Sequence, residues 1–503
     1  MDSILFLSSL IALILYASIW AYYNEALIFM EIFIYCNFRK PLMLYGYWRH
    51  KPPPVPNKLG PSDITVIITA GWWTVSVEAN RKDFLECLAT FLVNNPKHII
   101  IATDTVETAR EALKLYGDIR IAFGIGLTTT ATFLWTGYPD KRTQIADAIR
   151  KVETNLIVFA DDHVFVGPNF LKSVAAVFEN PHIGLCATKK SVYRETFRTG
   201  SYIQNFWLSI WNFFGVIYLE RHNVEFRATT SMDGGIPVVS GRAMGGRADL
   251  FDSKFLELFT KQELPWNRAV RVTIGDDNFI TRWARTHGRG IEFLCTEDAT
   301  IKTRLGQPWR FSKQCVRWRR TTFQANTEDL LYGAVWKVWP WTTCMSLFPT
   351  LINLALVWDP LMVYAFTQSG IYSKLGLFLL LTWIYFAKGI KLLPYFLRHP
   401  WDFFIYFCPI PIYHLHAYLH SFISLYSWFT FSDQAWAGRD LKGSQARSIG
   451  GLQRRGGTPA DRRGRRDGCF SYPSSSLAAP SNGVVRCRIE TTQIPRDLAS
   501  PPY

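Results

Sequence analysis

Between residues 63 and 320, short apolar runs rich in β-branched residues alternate with stretches of helical periodicity. The runs are Ile64–Thr69, His98–Thr103, Ile119–Phe123, Leu156–Ala160 and Ile183–Thr188; the helical stretches are Arg81–Val93, Val106–Tyr116, Lys141–Val152 and Asn169–Phe178. Strand and helix in repeated alternation predict a mostly parallel sheet covered by helices, because neither kind of element buries its apolar face alone. Ligands of such a sheet belong at the carboxyl ends of its strands. Polar residues fall there: Asp104 directly follows His98–Thr103, and Asp161-Asp162-His163 directly follows Leu156–Ala160.

On either side of this region the pattern loses its charges. Ser3–Tyr23 is uncharged for 21 residues, long enough to cross about 30 Å of hydrocarbon as a helix. No basic segment precedes it, so it reads as a span rather than a signal peptide. Ala26–Phe38 is a second apolar stretch containing Glu31, a span, a re-entrant piece or an interfacial helix. Arg39, Lys40, Arg49 and Lys51 then favour the cytoplasmic side for the domain that follows, and Lys51-Pro-Pro-Pro-Val-Pro56 reads as a stiff connector. Val338–Trp358, Ile371–Ala387 and Phe403–Ser432 predict about three more spans, with Pro340, Pro349, Pro409 and Pro411 leaving broken or interfacial segments open. From Gly438 the chain is rich in Gly, Ser, Arg and Pro and cannot bury a core. The expected division is an N-terminal membrane region over 1–50, an α/β domain over 51–325, a C-terminal membrane region over 326–436 and a basic disordered tail over 437–503.

Composition adjusts this picture in three places. With 49% hydrophobic and 19% charged residues in 503, the chain is too apolar for a disordered protein. The formal charge is +15, but from Arg439 onward there are 12 Lys or Arg against 5 Asp or Glu, so much of the excess lies in the tail. It therefore does not point to nucleic acid; anionic headgroups or a nucleotide diphosphate fit as well. Nine cysteines without a C-x-x-C pair suggest neither a disulfide framework nor a thiolate zinc site.

Three constellations could carry chemistry. Clustered carboxylates such as Asp161-Asp162 with His163 are tolerable where a hard cation, Mg²⁺ or Mn²⁺, bridges them to a diphosphate, although an acidic cap on a loop is the plainer alternative. Gly275-Asp276-Asp277-Asn278 places two carboxylates at the start of a helix, where one would suffice as a cap. Gln314-Cys315-Val316-Arg317-Trp318 puts amide, guanidinium and indole on one helical face, suited to a sugar phosphate or else to an interfacial helix. Phe123-Gly-Ile-Gly126 lacks dinucleotide-loop spacing and reads as a turn. His414, His416 and His420 read as packing rather than as a metal site.

The order Ile64-Thr-Val-Ile-Ile68, Ile100-Ile-Ala-Thr-Asp104, Asp161-Asp-His163, Ser240-Gly-Arg242, Gly275-Asp-Asp277 and Gln314-x-x-Arg317-Trp318 resembles that of membrane-embedded family 2 glycosyltransferases. Within them it resembles fungal polysaccharide synthase-like proteins related to capsular polysaccharide and hyaluronan synthases. The resemblance covers residues 40–436. It implies an α/β GT-A nucleotide-sugar-binding domain with flanking transmembrane and interfacial helices, a cytoplasmic catalytic domain in a multi-pass plasma-membrane protein, and inverting transfer from a UDP-sugar to a carbohydrate acceptor with Mg²⁺ or Mn²⁺ as cofactor. By the same resemblance Asp104 contacts uridine, and Asp161 contacts diphosphate and, with Asp162 and His163, metal. Asp277, beside Asp276, is the catalytic base; Gln314, Arg317 and Trp318 contact pyrophosphate and acceptor. Lys141-Arg142 matches a basic pair at the phosphates. His163 stands where the family usually has aspartate, and Cys315 where it often has a second glutamine. The expected product is an extracellular or capsule-like polysaccharide, exported as it grows. The alternatives are a membrane lipid acceptor and a catalytically degenerate nucleotide-sugar-binding protein.

Overall fold

The computed structural model describes residues 25–52, 58–123, 128–261, 263–264, 267–271, 275–305, 308–408, 412–431 and 469–472. The expected span Ser3–Tyr23, most of the connector Lys51–Pro56 and nearly all of the tail lie outside the described residues.

The sheet is assembled from strands β1 (Ile64–Thr69), β2 (His98–Thr103), β3 (Thr130–Trp135), β4 (Leu156–Asp161), β5 (Ile183–Thr188), β6 (Ala243–Arg247), β7 (Gly290–Leu294) and β8 (Cys469–Tyr472). Their order is β7-β5-β6-β4-β1-β2-β3-β8. β4, β1, β2 and β3 run parallel, as do β5 and β7, while β6 is antiparallel to both β4 and β5. This is the GT-A-like mixed α/β arrangement that the resemblance implies. Every residue of β1 is buried, as a strand covered on both faces requires. Its alternation divides two cores: Ile64, Val66 and Ile68 pack with Phe84, Phe91 and Phe170, whereas Ile67 packs with Ile145, Phe259 and Trp283.

Two elements differ from the sequence expectation. Ile119–Phe123 is not a strand but the last turn of the helix Val106–Phe123, because Ala109, Ala112, Leu115, Tyr116 and Ile119 form one buried stripe at helical spacing. The strand falls instead on Thr130–Trp135. In the tail expected to be disordered, Cys469–Tyr472 pairs antiparallel with β3 and satisfies an edge that would otherwise be open.

Around one end of the sheet the helices form a second region. Tyr202–Asp233, a helix of 32 residues with no counterpart in the sequence expectation, starts at Ser201, whose Oγ accepts from the Gln204 N–H, and stops at Gly234, φ 72°. It crosses Arg39–Arg49 closely: a Cβ on Gly46 would stand 2.9 Å from the Ala228 carbonyl oxygen. Glu25–Asn37 packs on Ala355–Gln368, with Phe29 and Phe366 ring centroids 5.0 Å apart. Among the described residues one stretch, Lys374–Arg398, is long and apolar enough to cross a membrane, and Pro340–Ile352 with Ala355–Gln368 forms a pair bent by 90°. Both fall within the stretch 338–432 where about three spans, or broken segments, are expected. Of the expected stretch Phe403–Ser432, the described residues include a π turn at Phe403–Phe407 and the helix Ile412–Phe429.

Candidate active site

The turn at Gly275 sets the site. Its φ of 74° is left-handed, the region glycine occupies without a Cβ penalty, and it starts the helix Asp276–Thr286 so that both aspartates lie in the first turn. Asp277 Oδ2 accepts from the Gly241 N–H at 3.2 Å and Oδ1 from the Asn278 N–H at 2.9 Å. Burial, together with the neighbouring Asp276 charge, raises the Asp277 carboxyl to about 6, which suits a group that takes a proton near neutral pH.

Lys141, in the first turn of the helix Lys141–Ile149, bridges a strand-end carboxylate and a helix-start carboxylate, with Nζ 2.9 Å from Asp161 Oδ1 and 3.0 Å from Asp276 Oδ2. Burial opposes the lysine's charge, but the two carboxylates outweigh it and hold the ammonium above its ordinary value. Burial likewise works against the Asp276 charge, and Lys141 reverses that to a lowered carboxyl. Adjacent carboxylates are therefore shifted in opposite directions, Asp276 down and Asp277 up.

Asp161, Asp276, Asp277, Lys141, Gln314 and Arg317 line one cavity of about 240 Å³ at the carboxyl ends of β1 and β4. Gln314 Oε1 is buried there without a hydrogen-bond partner among the described residues, an acceptor unsatisfied by the protein. Burial lowers the Arg317 guanidinium, and the charges of Asp161 and Asp277 support it. Trp318 stacks on Tyr218 at 5.4 Å and lies 5.0 Å from the Arg242 guanidinium carbon. Beyond it opens a second cavity of about 360 Å³, reaching into the helical region. Ser240, Arg242, Asp277, Trp318 and Thr321 line both, so the Asp277 carboxylate stands at their boundary.

Not every residue expected at the site reaches it in the expected way. Arg142 is a correction: 1% exposed, it lies beneath the cavity, donating to the carbonyls of Phe259 and Gly275 at 3.1 Å each, between the rings of Phe259 and Phe279. It positions the Gly275 turn rather than touching phosphate. Asp104, 4% exposed, is likewise held by protein, accepting from the Trp72 N–H at 3.0 Å and the Thr108 hydroxyl at 2.9 Å. Asp162 and His163 line the cavity but bond to each other at 2.7 Å, and Thr74 donates to the other Asp162 oxygen. The triad expected as metal ligands is thus split: Asp161 ends the strand and turns to Lys141, while Asp162 and His163 lie in the turn that follows and pair with each other.

Among the described residues no three His, Cys, Asp or Glu converge on one point. Asp161 and Asp276 do face one position, that of the Lys141 ammonium. Two carboxylates are donors of the kind Mg²⁺ or Mn²⁺ takes, its remaining ligands commonly being substrate oxygens and water, so an ion fits there with the Lys141 ammonium moved aside. The histidines of 414–420 pack as expected: His416 stacks on Phe214 at 4.3 Å and His420 on Tyr218 at 5.9 Å. Sequence reasoning missed Lys190, 5% exposed in the short strand Lys190–Val192, whose ammonium burial lowers to about 7, with Arg242 adding to the shift. A lysine ahead of a helix-bound loop gives no sequence signal of its own. Arg242 had one, the Ser240-Gly-Arg242 segment, though the residue itself had no assigned role.

The family model described as glycosyltransferase like family 2 matches residues 76–321. A type 2 glycosyltransferase of Pyricularia oryzae is 30% identical over 408 residues, covering 78% of this chain and 78% of the relative. Another, of Gibberella zeae, is 28% identical over 435 residues, covering 84% of this chain and 76% of the relative. The solved structure of mannosyltransferase PcManGT from Pyrobaculum calidifontis, in complex with GDP-Man and Mn²⁺, aligns with a TM-score of 0.46 at 14% identity, over 82% of this chain and 99% of that one.

Proposed function

The chain belongs to the family 2 glycosyltransferases, and from that membership we propose that it transfers a sugar, with inversion, from a UDP-sugar in the cavity at the strand ends to an acceptor hydroxyl arriving from the second cavity. The observation that carries this reading is the place of Asp277, a carboxyl raised to about 6 on the boundary between the two cavities. Asp277 takes the hydroxyl proton as the acceptor oxygen attacks the anomeric carbon, and the bond from that carbon to the diphosphate oxygen breaks, releasing UDP. Lys141, Arg242 and Arg317 offset the charge that gathers on the departing diphosphate. Gln314 Oε1 accepts from a sugar hydroxyl, and Trp318 orients the acceptor. A Mg²⁺ or Mn²⁺ ion would be held by Asp161 and Asp276 in exchange for the Lys141 ammonium that now lies between them and would add positive charge at the diphosphate.

Residues 355–429 leave many large apolar side chains exposed, among them Tyr364, Leu375, Phe378 and Phe429. Exposed apolar surface of this extent supports a bilayer around that region and, with the basic Arg39–Arg49 helix beside it, a cytoplasmic catalytic domain. The acceptor that the resemblance suggests is a growing extracellular or capsule-like polysaccharide. A lipid acceptor is the second reading, favoured by a cavity that leads from Asp277 to Trp358, Met362 and Ile384. UDP release by the purified full chain across a panel of UDP-sugars, with and without Mn²⁺, tests the transferase reading. Turnover by Asp277→Asn equal to that of the unaltered protein would overturn the assigned base.

A further inference from the structure

The second cavity has a charge balance unlike the first. Arg39 and Lys40 enter it from the helix Arg39–Arg49, Lys190 from its short strand, Arg221 from Tyr202–Asp233, Arg319 from Pro308–Tyr332 and Lys391 from the turn Ile390–Leu392. Among the described residues none of these six is in an ion pair. Where they do bond, the acceptors are neutral: Arg39 donates to the Met345 carbonyl at 3.2 Å, Lys40 to Asn37 Oδ1 at 2.6 Å, and Arg319 to the Thr350 carbonyl. Of the carboxylates lining the cavity, Asp359 is already paired with Lys388, and Glu225 and Asp277 remain.

Cations gathered in a partly desolvated space repel one another, and the one carboxylate whose charge supports Arg39, Arg319 and Lys391 is Glu225, too little to offset the hydration that all of them lose. An anion entering the cavity supplies further negative charge. Guanidinium groups from three elements suit phosphate, whose oxygens they bind in pairs, and phosphate brings more charge than a single carboxylate. Another part of the lining is apolar and begins beside Lys40, since Trp383 Nε1 donates to the same Asn37 Oδ1 at 3.0 Å. Trp358, Met362, Trp383, Ile384 and Ala387 form it, on helices whose outward faces expose Leu375 and Phe378 to 68% and 65%.

We propose that this chamber seats an amphiphilic acceptor with phosphate in its headgroup: the phosphate lies among Arg39, Arg221 and Lys391, the hydrocarbon chain lies on the apolar wall, and the hydroxyl to be glycosylated reaches Asp277. The proposal rests on the transferase reading for the role of acceptor, but the chamber's preference for a phosphate amphiphile is measurable without any turnover.

The test is binding of radiolabelled probes to the purified full chain held in amphipol. The probes are lysophosphatidic acid, lysophosphatidylcholine and glycerol 3-phosphate, with UDP titrated in a separate arm. Lysophosphatidic acid is expected to bind at least tenfold more tightly than either of the others. The pair Arg221→Gln and Lys391→Gln should remove that margin, the charge-keeping pair Arg221→Lys and Lys391→Arg should retain most of it, and Lys261→Gln on the outer surface should change nothing. Equal binding of lysophosphatidylcholine would overturn the phosphate, equal binding of glycerol 3-phosphate would overturn the amphiphile, and an unaltered margin in the glutamine pair would overturn the chamber as the seat. Absence of UDP binding counts against the donor reading alone, since the probe arms report on the chamber by themselves.

Discussion

The two cavities that meet at Asp277 solve opposite electrostatic problems. At the strand ends, carboxylates that would repel one another are tied by a single ammonium: Lys141 lies within 3.0 Å of both Asp161 and Asp276. In the inner chamber, five cations and Lys190, whose charge burial weakens, form no ion pair among the described residues, and Glu225 alone faces Arg39, Arg319 and Lys391. The first site is balanced in the absence of ligand and must exchange interactions to admit a diphosphate. The second is unbalanced and gains by admitting an anion. Asp277 borrows from both, since burial and the fixed charge of Asp276 raise it, while its contacts with the Gly241 and Asn278 amides keep it aimed at the boundary.

The contrast can be broken at its boundary first. Asp277→Asn keeps the shape and both cavities but removes the proton acceptor, and UDP release is expected to fall about 10³-fold with UDP affinity, read by calorimetry, little changed. The same substitution should not lower stability. The unaltered Asp277 carboxyl favours the folded state only while protonated, so its stabilisation is full below about pH 4, lost as pH rises towards about 6, and absent from the asparagine variant. A parallel pair of stability curves over that window would show that Asp277 is not perturbed as described.

Breaking the balanced site comes next. Lys141→Ala leaves Asp161 and Asp276 facing one another and withdraws a cation from the diphosphate, and a loss of about 10²-fold in kcat/KM for the donor is expected. Adding Asp276→Asn should recover stability, measured by thermal unfolding, without recovering rate. A smaller effect comes from protons alone. With Asp277 raised to about 6, kcat/KM at pH 5 should be about tenfold below its plateau, because only the ionised carboxylate accepts the proton. A profile flat from pH 5 to 8 would contradict this. The smallest sits at the turn: Gly275→Ala forces a side chain into φ 74°, where its Cβ would lie 3.3 Å from Asn278 Nδ2. A loss of about 1–2 kcal/mol, read by denaturant titration, is expected.

The alternation of apolar runs and helical periods was enough to identify β1, β2, β4 and β5 within a residue or two, since strands buried on both faces are continuous in sequence. It failed at Ile119–Phe123, where the ending of an amphipathic helix resembles a short strand until the buried stripe from Ala109 onward is followed through. It also overlooked Tyr202–Asp233, whose aromatic residues face sheet, cavity and solvent in turn and so leave no clean apolar stripe. At the site, Asp161, Lys141, Asp276, Asp277, Gln314, Arg317 and Trp318 were all visible as residues, and the structure gathers them round one cavity.

What the sequence determined by itself, then, was the kind of domain and the inventory of groups at its strand ends, because burial patterns and motif order are local properties of the chain. Only the tertiary structure decided which of those groups face each other. It turned Arg142 beneath the floor, gave Asp162 to Thr74 and His163, set Lys141 between two carboxylates, and collected cations from five separate elements into one chamber. Pairing and charge balance depend on distances between residues as much as 352 positions apart, from Arg39 to Lys391, and Coulomb interactions and desolvation act through those distances, not along the chain.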